Sequence, residues 1–303
     1  MLRAIFRRLT LAASLVVLLS ISLSFGVPTH VAFAKTQIPA KTCSQSDSNC
    51  TRYYVAAHVT APNGGTADTE TEGAYGIVGQ YHPKVGANDA ASIAQIDIFD
   101  GTHYVEVGWA SLQGSASSVI FVAIRDGQNL CVVQRQSSSS TGWTCGFTAF
   151  GAFNTTHYYP GSAVPSDGTP AALYLLNTGT DIYIQYGNDW LGRITNSIWL
   201  SGSFGPVTLA DWQGETVVNT LTYLFTRTPM GDGICGTASG SDSFYGMQWF
   251  VGQVYYGSFQ PVNAPQSSLT ESNAKYYNYG QFNSSGINYF SFGGPGFHQP
   301  WCQ

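Results

Sequence analysis

The feature that most constrains this chain is a series of short apolar runs with period-two alternation, each bounded by turn residues. The runs are rich in Val, Ile, Tyr, Thr and Trp, and turn dipeptides such as Asp100-Gly101 and Asp126-Gly127 separate them. This pattern is typical of antiparallel strands joined by tight turns. The predicted strands are Tyr54 to Val59, Ile93 to Phe99, Tyr104 to Trp109, Val119 to Arg125, Leu130 to Gln134, Ala172 to Leu176, Ile182 to Tyr186, Glu215 to Phe225 and Gly246 to Tyr256. The sequence therefore predicts an all-β fold, an antiparallel β-sandwich of two stacked, curved sheets.

The organisation of the chain predicts one β-sandwich domain over residues 53–303. No repeat of fixed period is present, which argues against a propeller. The only candidate for a helix is the short stretch from Ile194 to Leu200, and no linker interrupts the domain. The Ser-, Asn- and Gly-rich stretch from Asn263 to Ser285 is expected to form long surface loops.

The N-terminus has the pattern of an export signal. Three arginines precede an apolar run from Leu9 to Leu19, and small residues follow up to Ala32-Phe33-Ala34. Signal peptidase cleaves after such an A-x-A pattern, so residues 1–34 are predicted to be a signal peptide and residues 35–52 a short polar leader. A membrane anchor is the alternative, but the apolar run is short for a span. A secreted protein with no membrane attachment after cleavage is expected.

Composition excludes several classes of function. Only 10% of the 303 residues are charged, and 12 Lys and Arg against 17 Asp and Glu give a net charge of −5. Such a chain has no basic field for a phosphate backbone, so no nucleic-acid partner is expected. The low charge and the many Gly and aromatic residues also argue against a helical bundle or a disordered regulator.

Six cysteines in an exported chain predict disulfides, although the sequence alone permits fifteen pairings. The pairs suggested by position are Cys43 with Cys50, Cys131 with Cys145, and Cys235 with Cys302. A zinc site is the competing interpretation. It lacks support because no C-x-x-C is present and the six histidines are scattered singly, so no metal is predicted.

Two of the five glutamates lie in strand-like surroundings. Alternation places Tyr104, Glu106 and Gly108 on one face of a strand and apolar residues on the other. Glu215 opens another predicted strand directly after Trp212-Gln213-Gly214. A buried carboxylate needs a partner, and the candidate cations are Arg125, Arg135, Arg193 and Arg227. These residues alone leave open whether the two glutamates form a functional pair or are isolated carboxylates that face water.

Six blocks in order resemble the neprosin family of glutamic peptidases and together cover about residues 53–303. The six blocks are Ser92-Ile93-Ala94-Gln95-Ile96-Asp97, similar to S-x-x-Q-I-W; Val105-Glu106-Val107-Gly108-Trp109, similar to I-E-A-G-W; Gly187-Asn188-Asp189-Trp190-Leu191, similar to G-N-W-W-L; Trp212-Gln213-Gly214-Glu215-Thr216, similar to W-G-G-E-V; Thr228-Pro229-Met230-Gly231-Asp232-Gly233, similar to T-x-M-G-S-G; and Tyr289-Phe290-Ser291-Phe292-Gly293-Gly294-Pro295-Gly296, similar to Y-F-Y-Y-G-G-P-G.

The resemblance implies a glutamic endopeptidase that cleaves after proline, with Glu106 and Glu215 as the catalytic residues. Two carboxyl groups within about 4–6 Å share one proton, because they cannot both ionise cheaply. We therefore expect the two glutamates on neighbouring strands of one concave sheet with a water between them. Gln95 is a candidate hydrogen-bond partner for that water or for the oxyanion, or a structural strand amide.

The expected surroundings of the pair follow from alternation and from the same resemblance. Tyr104 shares the Glu106 face and is expected to line the cleft. Trp190 and Trp212 are either the apolar wall that a proline ring stacks on or ordinary core aromatics. A monomer acting on peptide or protein substrates, proline-rich ones included, is expected, without a cofactor.

Two rival functions fit the composition equally well. A glycoside hydrolase also uses two carboxylates on a β-sandwich. A lectin-like module without catalysis would use exposed Tyr and Trp to bind carbohydrate. The six blocks, and not the composition, favour the peptidase.

Overall fold

A computed structural model of the chain describes residues 50–60, 71–87, 89–127, 129–136, 142–151, 157–164, 168–200, 202–219, 228–252, 267–271, 276–283, 288–296 and 301–302. The predicted signal peptide, residues 35–49 of the predicted leader and residues 263–266, 272–275 and 284–285 of the predicted loop stretch lie outside these ranges. Residues 267–271 and 278–283 of that stretch form strands and not loops. The first strand begins at Cys50, three residues before the predicted start of the β-sandwich domain.

The described residues form fifteen β-strands and one 3-10 helix. The strands are β1 (Cys50–Thr60), β2 (Thr71–Gln80), β3 (Asp89–Phe99), β4 (His103–Leu112), β5 (Val119–Asp126), β6 (Asn129–Val132), β7 (Phe147–Ala149), β8 (Thr169–Asn177), β9 (Asp181–Tyr186), β10 (Asp189–Thr195), β11 (Leu209–Asn219), β12 (Ser243–Gly252), β13 (Ser267–Glu271), β14 (Asn278–Asn283) and β15 (Tyr289–Gly293). The predicted helical stretch is reduced to the single 3-10 turn Asn196–Ile198. None of this helical structure has the length and apolarity needed to span a bilayer.

The strands form two antiparallel sheets, which confirms the predicted sandwich. The seven-stranded sheet has the order β13-β1-β11-β3-β4-β5-β6, and the eight-stranded sheet has the order β14-β15-β12-β2-β8-β9-β10-β7. Strands β3, β4 and β11 of the first sheet contact β2, β8, β9 and β12 of the second. The central strands of the two sheets therefore pack face to face.

Alternate side chains of the strands point into the space between the two sheets and form the core. The first sheet contributes residues from β3 and β4, and the second contributes residues from β8 and β9. Those fully buried include Ile96, Ile98, Val105, Val107, Trp109, Leu173, Leu175, Ile182, Ile184 and Tyr186. Alternation consequently turns the other side chains of β3 and β4 to the outer face of the seven-stranded sheet.

Two tryptophan side chains cross the sandwich and hydrogen-bond to the same strand of the opposite sheet. Trp109 of β4 donates its indole N–H to the Gly79 carbonyl at 2.8 Å. Trp212 of β11 donates to the Tyr75 carbonyl at 2.9 Å. Both acceptors lie on β2, so β4 and β11 are held to one strand of the other sheet.

Two differences from the predicted strands bear on the site: one strand starts earlier than predicted, and one strand was not predicted. The strand predicted from Glu215 is β11, which starts six residues earlier, so Glu215 lies in its middle. The sequence analysis missed β2, because its three glycines, Gly73, Gly76 and Gly79, weaken the local strand signal. Glycine is needed at position 76 because a Cβ there would lie only 2.8 Å from the Trp212 ring.

Two of the predicted disulfides are confirmed. Cys131 is bonded to Cys145, and Cys235 is bonded to Cys302. The suggested partner of Cys50, Cys43, lies outside the described residues, so that pairing stays a prediction.

The first prediction concerns Gly108, which lies opposite Gln95 in the β3–β4 pair. A Cβ at this position would lie 2.0 Å from the Ala94 carbonyl oxygen, so the backbone of β3 would have to move. We expect Gly108→Ala to lower the free energy of unfolding by about 3 kcal/mol, the upper end for overpacking. Urea unfolding of the variant and of the wild-type protein measures this change in the free energy of unfolding. Gly205→Ala is the control, because the nearest atom there is Asp100 Oδ2 at 3.7 Å. Equal stability of the two variants would contradict the claim that a Cβ at position 108 displaces the backbone of β3.

The second prediction concerns the two disulfides, which close loops of 14 and 67 residues. A cross-link that closes a longer loop removes more conformational entropy from the unfolded chain. Replacing Cys131 and Cys145 by Ser should cost about 3 kcal/mol, and replacing Cys235 and Cys302 about 1.4 kcal/mol more. Denaturant unfolding of the two double variants checks this ranking, and the reverse order would refute it.

Candidate active site

Four of the predicted site residues, Glu106, Glu215, Gln95 and Tyr104, lie on the outer face of the seven-stranded sheet. Directly opposed residues of an antiparallel pair project to the same face, so the register decides which side chains are neighbours. One row across β1, β11, β3 and β4 consists of His58, Asp211, Asp97 and Glu106. This row is the polar centre of the face.

The two glutamates lie on strands that are not neighbours, which corrects the expectation from the sequence. Strand β3 runs between β4 and β11, with Glu106 opposite Asp97 and Glu215 opposite Ile93. Their backbones are therefore offset by two strand spacings, about 10 Å, and by four residues, about 13 Å along the strands in a flat sheet. The part of the chain that the structure describes contains no hydrogen bond between their carboxyl groups. Pairing along the sheet thus separates the glutamates by one strand and leaves a position between them.

Gln95 occupies that intermediate position. It lies on β3 midway between Ile93 and Asp97, and it is opposite Gln213 on β11 and Gly108 on β4. Its side chain is 1% exposed, and its Oε1 atom has no hydrogen-bond partner among the described residues. A buried carbonyl oxygen without a donor is costly, so this atom is suited to accept a hydrogen bond from a bound molecule.

Glu215 is held by an arginine that the sequence analysis assigned to the leader. Arg52 Nη1 donates to Glu215 Oε1 at 2.7 Å, and the glutamate side chain is 4% exposed. Burial raises the pKa of Glu215 above its ordinary value, the Arg52 guanidinium opposes this shift, and the charge on Glu106 adds to it. The two glutamates therefore interact through their charges across β3.

Glu106 has a looser ion pair. Arg125, one of the four candidate cations, donates from Nη2 to Glu106 Oε1 at 3.4 Å. The Glu106 side chain is 11% exposed, more than that of Glu215. Of the other candidates, Arg193 pairs with Asp181 on β9, and Arg227 lies outside the described residues. Glu106 is thus the more accessible of the two carboxylates.

Asp97 and Asp211 form a carboxyl pair that the sequence analysis did not identify. The two residues are directly opposite each other, and Gln213 Nε2 donates to Asp97 Oδ2 at 3.0 Å. Burial raises the pKa of Asp97 well above its ordinary value, and the charges of Asp211 and Glu106 add to this. Burial also raises the pKa of Asp211 to about 7, although its interaction with the Asp97 side chain opposes this rise.

Tyr104 lies on the same face as Glu106, as alternation predicted, in the next row and opposite Phe99. Its ring stacks on Phe99 with the centroids 4.1 Å apart. Burial raises the pKa of Tyr104 to about 12, and the charges of Asp97 and Asp211 contribute. The phenol therefore keeps its proton throughout the acid and neutral range and can serve as a hydrogen-bond donor.

Trp190 and Trp212 do not face this site, so their interpretation as its apolar wall is wrong. Trp212 is 2% exposed and points into the core, because it alternates with Gln213. Trp190 belongs to the eight-stranded sheet and packs edge-on against Tyr174 and Tyr183. These contacts place Trp190 on the far side of the sandwich from Glu106.

The missed residues carry only weak signals in the sequence. Arg52 stands next to Tyr53, at the start of an apolar run, and was assigned to the segment before it. Asp97 interrupts the apolar run Ile96-Asp97-Ile98, and a charged residue at alternate spacing between two isoleucines is the one local sign of a polar outer face. Asp211 lacks even that sign, because its strand was predicted to start at Glu215.

The described residues contain no group of three or more His, Cys, Asp or Glu that is placed to hold a metal ion. The chemistry that this arrangement offers is proton transfer. Two carboxylates with arginine partners and a carboxyl pair of raised pKa lie in the rows on either side of Gln95, whose amide oxygen is unpaired, and a phenol lies one row further along. Groups of this kind act as general acids and bases toward a bound water.

Comparisons with known proteins give only a distant likeness. No protein-family model and no curated protein matches the chain. Two crystal structures of scytalido-glutamic peptidase are similar to it, one with a peptide-based transition state analog and one with a transition state analog inhibitor. The identities are 11% and 13% and the TM-scores 0.43 and 0.44, and each match covers 80% of this chain and 99% of the other. This likeness is too distant to assign a role to any residue, and membership of the neprosin family stays a prediction.

The third prediction concerns the Arg52–Glu215 ion pair. Because the pKa of Glu215 is raised in the folded protein, its ionisation lowers stability as the pH rises through that pKa. Without Arg52 the pKa of Glu215 rises further, so the loss of stability on its ionisation is larger. We expect Arg52→Gln to lower the free energy of unfolding by about 2 kcal/mol at pH 7 and by clearly less at pH 4, where Glu215 can hold a proton. Denaturant unfolding at both pH values measures this.

The double variant Arg52→Gln with Glu215→Gln is the control for this measurement. It removes the uncompensated carboxylate and should recover part of the stability lost at pH 7. An equal loss at both pH values would show that Arg52 acts through packing alone.

Proposed function

We propose that the protein is a secreted, acid-acting glutamic endopeptidase in which Glu106 and Glu215 activate a water molecule for hydrolysis of a peptide bond, preferably after proline. The observation that carries the proposal is the placement of both glutamates on one polar face, diagonally on either side of Gln95. The resemblance of six sequence blocks to the neprosin family supports the same two residues. The proposal requires no cofactor.

The raised pKa of Glu215 supports a division of roles between the two carboxyl groups. In acid solution Glu215 keeps its proton to a higher pH than an ordinary glutamate, so it is the proposed acid. Glu106 is more accessible and is the proposed base. The water lies between Glu106 and Gln95 and donates one hydrogen bond to each, which gives the Gln95 Oε1 atom its missing donor.

The proposed reaction moves two protons. Glu106 takes a proton from the water as the water oxygen bonds to the scissile carbonyl carbon. Tyr104 donates a hydrogen bond to the oxyanion that forms, since its phenol remains protonated. Glu215 then gives its proton to the leaving nitrogen as the C–N bond breaks, and proton exchange with solvent restores both carboxyl groups.

Preference for proline needs an apolar ring beside the scissile bond, and Tyr54 takes the place that the two tryptophans do not fill. Tyr54 lies directly opposite Glu215 on β1 and is 40% exposed. A tyrosine ring presents a flat apolar surface to a proline ring and keeps its hydroxyl in water. In the proposal Tyr54 contacts the residue on the N-terminal side of the cleaved bond.

The fourth prediction tests the two glutamates. We expect the protein, produced with its own N-terminus, to cleave a proline-containing peptide library in acid solution. Glu106→Gln or Glu215→Gln should lower kcat/KM by a factor on the order of 10³ or more, since an amide can neither accept nor donate the required proton. Mass spectrometry of the products across pH gives the cleavage sites and the rates. Circular dichroism and thermal unfolding check that both variants are folded.

Asp181→Asn is the matched control, because it changes one carboxyl group that pairs with Arg193 on the other sheet. It should leave cleavage unchanged. Full activity in either folded glutamine variant would exclude the pair. Cleavage of oligosaccharides but not peptides would favour the glycoside hydrolase, and carbohydrate binding without turnover, retained in both variants, would favour the lectin-like module.

A further inference from the structure

Asp97, which is buried, and Asp211, which is partly buried, are two carboxyl groups that the proposed reaction does not use. They are directly opposite each other on β3 and β11, in the same row as Glu106. Asp97 is 2% exposed, and the Asp211 side chain is 17% exposed. Two such groups beside a proposed catalytic carboxylate must affect its ionisation, because like charges at short range interact strongly where water is excluded.

The hydrogen bonds around the pair account for one oxygen atom and leave two without a donor. Gln213 Nε2 donates to Asp97 Oδ2, but Asp97 Oδ1 and Asp211 Oδ1 receive no hydrogen bond from the described residues. The His58 ring nitrogen Nδ1 is 3.7 Å from Asp211 Oδ1, too far for a hydrogen bond. A proton on one carboxyl group, donated to the other, satisfies both oxygens with a single O–H···O bond.

We propose that Asp97 and Asp211 share one proton and act as positioning residues for Glu106, keeping a single negative charge next to it while the site is active. This inference rests on the proposed function for its link to catalysis, whereas the shared proton itself does not. The bond is an O–H of Asp97 donated to a carboxylate oxygen of Asp211. Release of that proton to solvent leaves two carboxylates side by side, and the charge of the pair changes from −1 to −2.

The surroundings of the pair cannot neutralise the second charge. The charged and titratable side chains that face it from the described strands are His58 and Arg52 on β1, Glu215 on β11, Tyr104 and Glu106 on β4, and Arg125 on β5. Both arginines already bind a glutamate. Burial lowers the pKa of His58, so its ring loses its charge at lower pH than an ordinary histidine. The second negative charge therefore acts on the oxyanion that forms during hydrolysis, which it destabilises.

The fifth prediction compares Asp211→Asn and Asp97→Asn with the wild-type protein. Each variant keeps one carboxyl group and replaces the shared proton by an amide N–H, so its charge cannot exceed −1 as the pH rises. The ratio of variant kcat to wild-type kcat on the same peptide should rise by a factor on the order of ten between about pH 5.5 and about pH 8.5. A structural role alone would change thermal stability and leave this ratio constant with pH.

Two measurements need no substrate and test the shared proton even if the protein is not a peptidase. Infrared difference spectra between wild-type protein and each variant at pH 6 should show the carbonyl band of one protonated carboxyl group in the wild type only. Because the folded pair keeps a proton that the unfolded chain has released, wild-type stability should fall as the pH rises from about 4 to about 7, and the variants should lose less.

Three outcomes decide the proposal, with Asp181→Asn as the control that should retain the wild-type pH dependence. Absence of the carboxyl band from wild-type protein would overturn the shared proton. A band that is present together with a constant kcat ratio would overturn the positioning role. If neither single variant folds, the double variant Asp97→Asn with Asp211→Asn takes their place, and its failure to fold at pH 5 would make the pair structural and end the proposal.

Discussion

The two tryptophans that cross the sandwich are the interaction on which the polar face depends. Trp109 and Trp212 lie on the two strands that carry the glutamates, and both donate their indole N–H to carbonyls of β2. A one-residue slip of either strand would expose its tryptophan and turn its glutamate into the core. Burial of these large side chains, with their hydrogen bonds satisfied, therefore holds Glu106 and Glu215 on the same outer face.

Electrostatic balance is the second constraint, because four carboxyl groups lie on this face with little access to water. An isolated buried charge is too costly to keep, so each group needs a partner or a proton. Arg52 and Arg125 bind the two glutamates, and the two aspartates lie directly opposite each other. The arrangement leaves Gln95, with its unpaired oxygen, in the middle of groups that can give and take protons.

Prediction from the sequence succeeded where one strand was enough and failed where a contact joined distant strands. Alternation alone placed Tyr104 with Glu106 and Trp109 on the opposite face, and the structure agrees. The same rule applied to β11 would have put Trp212 in the core, but with that strand predicted to begin at Glu215 the tryptophan was treated as a neighbour of the site. The contact of Arg52 with Glu215 spans 163 positions, and nothing local to either residue indicates it.

The sequence by itself determined the all-β class, most of the strands and the placement of Glu106 with Tyr104 on one face of a strand, because alternation and turn residues are properties of short segments. Only the tertiary structure decided that β3 separates the two glutamates, that Arg52 and not a downstream arginine binds Glu215, and that Asp97 meets Asp211. These are consequences of strand order and register, which depend on how all the strands pack their apolar faces together and not on any one of them.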